Sequence, residues 1–326
     1  MDLYPLNHAS PSYTKIRVMS SKNLISIIMP VHNGERYIDH AINSCLQQSF
    51  QDGWELIIVN DGSTDKTEII TKKHLADSRI KLIEQDKQGV SAARNNAIRN
   101  SSGNYIAFLD ADDCFLPNTI RQYHTACEIT EGTINLFYCD YLCINEKGET
   151  TNAMRVKPPM KRPGLHLQFL LPRLLPLLPS TTFIKKEVFD HTGLFNEAYM
   201  ACEDIELFAR IAEQHDIAKL DIVNCRRRMH QAQTIRNKPA LVYWRDKYNI
   251  AYLERHDFCY FCTTHDRIKQ AKLAENFGDT MLNAPQGPLI KSARYLYQLS
   301  LSMKPSINVQ TKLDRIQDHA MSDERS

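Results

Sequence analysis

The chain has 326 residues, enough to bury one enzyme domain with additions or two modest domains. Its formal charge of +2 is too small to argue for nucleic acid, and 43% apolar with 24% charged residues is ordinary globular composition. No apolar run reaches the roughly 20 residues that cross a bilayer, and the N-terminus lacks a signal-peptide core. Nine cysteines without regular spacing read as reduced thiols, so a cytoplasmic protein is expected.

Residues 1–23 are polar, with two prolines and no sustained periodicity, and read as a loose arm in which Met19 is an alternative start. A first strand is expected in Leu24–Met29, ended by Pro30 and followed by the loop Val31-His32-Asn33-Gly34. Ile38, Ala41, Ile42, Cys45 and Leu46 recur at helical spacing. Trp54–Val59 is the second strand and runs into Asn60-Asp61-Gly62-Ser63-Thr64-Asp65, ahead of a short helix. Ile80–Ile83 is a third strand, a helix follows from Val90 to Arg99, and Gly103 precedes the strand Tyr105–Leu109. This alternation predicts a mostly parallel sheet flanked by helices, in which ligands sit beyond the strands' C-terminal ends.

Three polar loops fall at those ends. In Asp110-Ala111-Asp112-Asp113 an apolar strand delivers several carboxylates into one small volume, which is repulsive unless a cation offsets it. Oxygen ligands favour Mg²⁺ or Mn²⁺, which would bridge a diphosphate and ease its departure. A solvated acidic turn is the alternative. Asp61 is placed to accept hydrogen bonds from a base or ribose, or to close an Asx turn. Arg94 and Asn95 lie early in the helix after Gly89, where Arg94 has the reach for a phosphate or base. Neither G-x-G-x-x-G after the first strand nor a P-loop is present, which disfavours a dinucleotide fold and a P-loop NTPase.

The runs Ile27–Asn33, Ile57–Asp65, Gly89-x-Ser91-x-Ala93-Arg94-Asn95 and Gly103–Asp113 together resemble family 2 glycosyltransferases, the inverting enzymes with the GT-A fold, of bacterial glycan-biosynthesis type. The resemblance covers roughly residues 25 to 235. It implies that Pro30, His32, Asp61 and Arg94 surround the base and ribose of a nucleotide-sugar donor, expected to be UDP-linked, with Asn33 also among the donor-binding residues. Asp110-Ala111-Asp112 would be the metal-diphosphate (DXD) motif, with Asp112 as direct ligand ahead of Asp110. His32 stands where the family often has tyrosine, which loosens the expectation for the base.

In the second half, Phe137–Ile144 is another strand candidate, with Cys139 and Cys143 read as core. Leu165–Leu178 is leucine-rich but broken by Pro172 and Pro176. It reads as core by default, with an acceptor lip or a peripheral patch on the inner face of the cytoplasmic membrane as alternatives. Glu203 and Asp204 start a helix whose buried stripe is Ile205, Phe208, Ala209 and Ala212; by chemistry alone they are helix-start charges. The resemblance makes Asp204 the general base, with Glu203 orienting the acceptor or its loop. It also brings the Arg226-Arg227-Arg228 run and His230 back near the diphosphate, His230 as a metal or phosphate ligand.

The expected organisation is an arm (1–23), a GT-A domain (24–235, split at 113/114 into nucleotide and acceptor halves), a helical extension (236–304) and a polar, fraying tail (305–326). The extension holds Cys259-x2-Cys262, which has the spacing of half a zinc site or of a redox pair; His256 and His265 are candidates to complete a zinc site, but the pair reads first as ordinary thiols without either function. The extension helices are candidates for acceptor specificity or homo-oligomer contacts. The acceptor implied is a hydroxyl on a glycan or lipid-linked saccharide, as in capsule or lipopolysaccharide synthesis. A non-catalytic carbohydrate-binding module and a nucleotidylyltransferase are the competing readings.

Overall fold

The structure, a computed structural model, describes residues 24–49, 53–159, 177–231, 238–255, 267–284 and 288–323. The N-terminal arm with Met19, most of the Leu165–Leu178 stretch, and Cys259, Cys262, His256 and His265 lie outside the described residues.

The first four strands are β1 (Ile25–Val31), β2 (Trp54–Asp61), β3 (Ile80–Gln85) and β4 (Tyr105–Phe108). They alternate with α1 (Ile38–Leu46), α2 (Thr67–Lys72) and α3 (Val90–Arg99) and pair in the order β3-β2-β1-β4, all parallel. Every residue of β1 and β2 is buried, so apolar residues follow one another along Ile27–Val31 and Leu56–Val59 rather than alternating. Pro30 does not end β1; it lies within the strand, opposite Val59. The reason is local. The Ile28 carbonyl faces β4, where it accepts from Leu109 N, and Pro30, two residues on, points its N-side the same way. The β1–β4 register stops at Ile28, so no ladder bond is lost there. Gly103 has a steric reason: a Cβ would stand 2.6 Å from the Leu24 carbonyl and from Ser26 Oγ.

Past β4 the sheet turns mixed. β8 (Thr182–Lys185) pairs antiparallel to β4, and β6 (Leu136–Ile144) antiparallel to β8. β9 (Ile217–Arg228) runs parallel to β6, and the short strands β5 (Cys114–Phe115) and β7 (Thr150–Met154) pair antiparallel to β9 and β6. The all-parallel block is therefore confined to the first four strands, and beyond β4 only the β6–β9 pair is parallel among the described strands. Around this half lie α4 (Thr119–Ile129), a 3-10 turn at Pro179–Thr181, α5 (Val188–Thr192) and α6 (Glu203–Gln214).

The C-terminal helices are α7 (Lys238–Arg255), α8 (Arg267–Leu282), α9 (Ile290–Met303) and α10 (Ile307–Asp323). The last corrects the expected fraying tail. Val309, Leu313 and Ile316 form a buried stripe at helical spacing, and Lys312 bonds Glu275 and Asp279 on α8. Three apolar residues in a polar stretch suffice once a neighbouring helix covers them. No helix among the described residues is long and apolar enough to cross a membrane.

Candidate active site

The ends of β1 and β4, the start of α3, the start of α6 and the segment after β9 converge on a cavity of about 550 Å³. Pro30, His32, Asn33, Arg94, Asp110, Ala111, Asp112, Glu203, Asp204 and His230 all line it, although they span two hundred residues of sequence. Asp61 does not. Its carboxylate is buried and accepts from Gln85 Nε2, Gln88 N and Gly89 N, each at 2.8 Å. It thereby fixes the loop that launches α3, while its backbone oxygen bonds His32 Nδ1 at 2.8 Å. Beside it, Asn33 Oδ1 accepts from Thr64 N and Asn33 N donates to Ser63 Oγ, locking the β1 and β2 loops together.

The carboxylates are sorted by their partners. Arg94, 3% exposed, donates from Nη2 to Asp110 Oδ1 and from Nη1 to Glu203 Oε1, both at 2.8 Å. Burial opposes its charge, but Asp110 and Glu203 outweigh that and hold its pKa above the ordinary value. The family resemblance implies Arg94 beside the base and ribose; in the structure both arms of its guanidinium are committed to carboxylates. Asp113 is buried and accepts from Ser180 Oγ and Arg228 N, its pKa pushed well up by burial and then by Asp112 and Asp110. Ser180 Oγ in turn accepts from Asp110 N at 3.1 Å, so one hydroxyl supports both ends of the acidic turn.

On the cavity wall, Asp112 Oδ2 and His230 Nε2 stand 2.9 Å apart. Tyr37 carries this pair from below: its ring lies 5.2 Å from that of His230 and under the Arg228 guanidinium at 4.5 Å. The arginine run is resolved by strand alternation: Arg226 is exposed, Arg227 lines the cavity, and Arg228 is buried with its Nε on the Asp112 carbonyl. Alternation separates Arg227 from its neighbours in sequence but cannot say which side faces the cavity. Tyr37 and Ser180 carry no sequence signal; each works through partners far along the chain.

Asp204 sits on the α6 side of the cavity, accepting from Ile205 N at 2.7 Å. Its pKa is pushed up to about 7, by burial first and by the Glu203 charge second, against the pull of Arg94. Cys202, just before, adopts a left-handed conformation (φ 63°), uncommon without glycine and found where a loop must be aimed. Among the described residues no group of three or more His, Cys, Asp and Glu side chains forms a ready metal cage. The Asp112–His230 pair offers two ligand side chains.

The sequence model of glycosyl transferase family 2 matches residues 26–191, half of the chain. This chain belongs to that family. The matched span carries the β1, β2 and β4 loops and ends before Glu203 and Asp204. A curated relative, the UDP-Glc:alpha-D-GlcNAc-diphosphoundecaprenol beta-1,3-glucosyltransferase WfgD of Escherichia coli, is 37% identical over 123 residues, which are 37% of this chain and 47% of the relative. The chain spans from 35% to 65% of the length of the first curated relatives it matches. In fold, this family 2 chain is similar to Staphylococcus aureus TarS residues 1–349 (TM-score 0.56, 18% identity, 91% of this chain and 92% of that one). TarS 1–349 is also known with UDP and with UDP-GlcNAc. The mannosyltransferase PcManGT of Pyrobaculum calidifontis, in complex with GDP-Man and Mn²⁺, is similar too (TM-score 0.56, 15% identity, 91% of this chain and 80% of that one). The mixed α/β sheet with its flanking helices is thus GT-A-like.

Proposed function

We propose that this chain is an inverting glycosyltransferase, moving a sugar from a nucleoside diphosphate sugar, UDP-linked, to a hydroxyl of a glycan or lipid-linked saccharide. The observation that carries the reading is that one cavity holds both the Asp112–His230 pair and Asp204, a carboxylate whose pKa near 7 suits a general base at neutral pH. Support for the donor comes from the UDP and UDP-GlcNAc complexes of TarS, and for a lipid-linked acceptor from the activity by which WfgD is named.

A divalent cation fits the Asp112–His230 pair. Neighbouring ligands on an octahedral ion with bonds of about 2.1 Å stand roughly 3 Å apart, close to the 2.9 Å of these two atoms. Asp112 and His230 would be the side chains that hold it. When bound, the cation neutralises charge developing on the departing diphosphate. The chain's own residues do the rest. Pro30, His32 and Asn33 form the wall nearest the β2 loop and are assigned to the base and ribose, and Arg227 adds positive charge to the cavity. Asp204 accepts the proton of the acceptor hydroxyl as it attacks the anomeric carbon from the face opposite the nucleotide. Asp110 and Glu203, tied to Arg94, are spectators to that proton.

The test is a screen of nucleotide sugars for slow hydrolysis, followed by acceptor addition with transfer read from the product's mass. Turnover of a UDP-sugar that requires Mn²⁺ or Mg²⁺ is the expected result. Absence of both hydrolysis and UDP binding would defeat the reading.

A further inference from the structure

We infer that Arg94 is a positioning residue that ties the donor loops to the helix carrying the general base, and not a ligand of the nucleotide; the inference rests on the transferase reading above. Its two 2.8 Å ion pairs reach Asp110, at the end of β4, and Glu203, the residue next to Asp204. The guanidinium is almost fully buried, and its Nε has no hydrogen-bond partner. Burying a donor unsatisfied is unfavourable, so stability alone is a poor reason for this arrangement.

Neighbouring contacts hold the same loop. Asn95 Oδ1 accepts from Phe195 N, and Asn95 Nδ2 donates to Phe195 O and to Glu197 Oε1, at 2.8 to 2.9 Å. The Arg94 guanidinium also lies 5.2 Å from the centre of the Phe195 ring. At its other end α3 hangs from Asp61, which holds Gly89 N and Gln88 N and whose carbonyl bonds His32. A continuous set of contacts therefore runs from the His32 wall through α3 to Glu203 and Asp204. It gives Asp61 and Arg94 one shared purpose: to fix the distance between the donor and the base. A planar two-armed guanidinium suits that task, because a lysine ammonium is a single point charge without the rigid fork.

The test uses the full chain as wild type, Arg94→Gln, Glu203→Gln and the double variant, read by UDP·Mn²⁺ calorimetry, transfer kcat and hydrogen exchange. Arg94→Gln is expected to lower kcat by about 10²-fold, the scale of a misplaced reacting group, while UDP affinity stays within about threefold. Exchange should rise in residues 195–205 while β1 and β2 stay protected. Glu203→Gln should reproduce the loss, and the double variant should add little to it, because both remove one clamp. UDP affinity falling in step with kcat would make Arg94 a nucleotide ligand and overturn the inference, as would additive losses or unchanged exchange in 195–205. If Arg94→Gln loses protection in β1 and β2 as well, Glu203→Gln decides by its own exchange in 195–205. A wild type that transfers no sugar defeats the transferase reading instead, and the exchange comparison still decides the role of Arg94.

Discussion

The two walls of the cavity are built on different principles. The wall proposed for the donor comes from β1 and β4, adjacent parallel strands whose C-terminal loops emerge side by side, with the β2 loop bonded to His32 and Asn33 beside it, so its residues converge by local alternation. The opposing wall depends on contacts across the chain: Arg94 to Glu203 spans 109 residues and Asp112 to His230 spans 118. The first wall is a by-product of topology. The second must be held in place by specific side chains, and the polar network around Arg94, Asn95, Asp113 and Ser180 does this. Donor binding is therefore expected to follow the first wall together with His230, and turnover the Glu203–Asp204 side of the second.

The largest effect should come from the residue on which that division turns. On the proposed mechanism Asp204→Asn removes a proton acceptor needed only when the acceptor reacts, so transfer should fall by about 10²- to 10⁴-fold with UDP affinity nearly unchanged. Comparable transfer by wild type and a folded variant would pass the role to Glu203 and erase the division. Asp112→Asn should do the reverse. It weakens Mn²⁺-dependent UDP binding by more than about tenfold, or 1.4 kcal/mol, and leaves whatever binding persists in EDTA untouched. Equal calorimetric affinity with and without metal would remove Asp112 from its proposed role.

The same contrast decides what was legible in the sequence. Strands β1 to β4 and helices α1 and α3 follow from apolar runs and spacing, because buried parallel strands leave a signal within a few residues. Pro30 misleads only because its effect depends on where the neighbouring strand stops pairing. Arg94 is visible as an arginine near a helix start, yet its partners Asp110 and Glu203 are fixed by tertiary packing. Ser180 lies beneath the acidic turn with no motif around it, and α10 is hidden by its polar composition. Local rules read the donor wall well. They read the other wall only through its resemblance to a family.

A pH profile sharpens the comparison more gently. With the Asp204 pKa raised to about 7, the basic form grows as pH rises, so transfer should increase through an acid limb centred near 7. The linked stability runs the other way. Between the ordinary carboxyl pKa near 3.8 and about 7 the folded state holds a proton that the unfolded chain has lost. Stability from this group is therefore complete at low pH and declines as pH rises through that window. UDP binding should show no matching limb. Were affinity and transfer to share one limb near 7, the titrating group would belong to the donor wall.

The smallest effect on the site should come from the C-terminal helices. Helix α9 begins at Ile290 behind Leu289, whose side chain offers no cap oxygen. Asp246, reaching over from α7 and buried, supplies the cap from a distance: its carboxylate accepts Lys291 N at 2.9 Å, Ser292 N at 2.8 Å and the Ser292 hydroxyl. Negative charge at a helix N-terminus is favourable, and these donors have no intrahelical partner of their own. Asp246→Ala strands them, at a cost of about 1–3 kcal/mol for buried unsatisfied groups. Asp246→Asn keeps one acceptor oxygen and should lose less. Both are to be read by urea unfolding beside UDP calorimetry. The expected result is a lower midpoint with unchanged UDP affinity, because none of the residues assigned to the nucleotide lies on these helices. A folded Asp246→Ala protein that had lost UDP binding would show that the helices hold the donor wall in shape, and the division between the two walls would then need a third support.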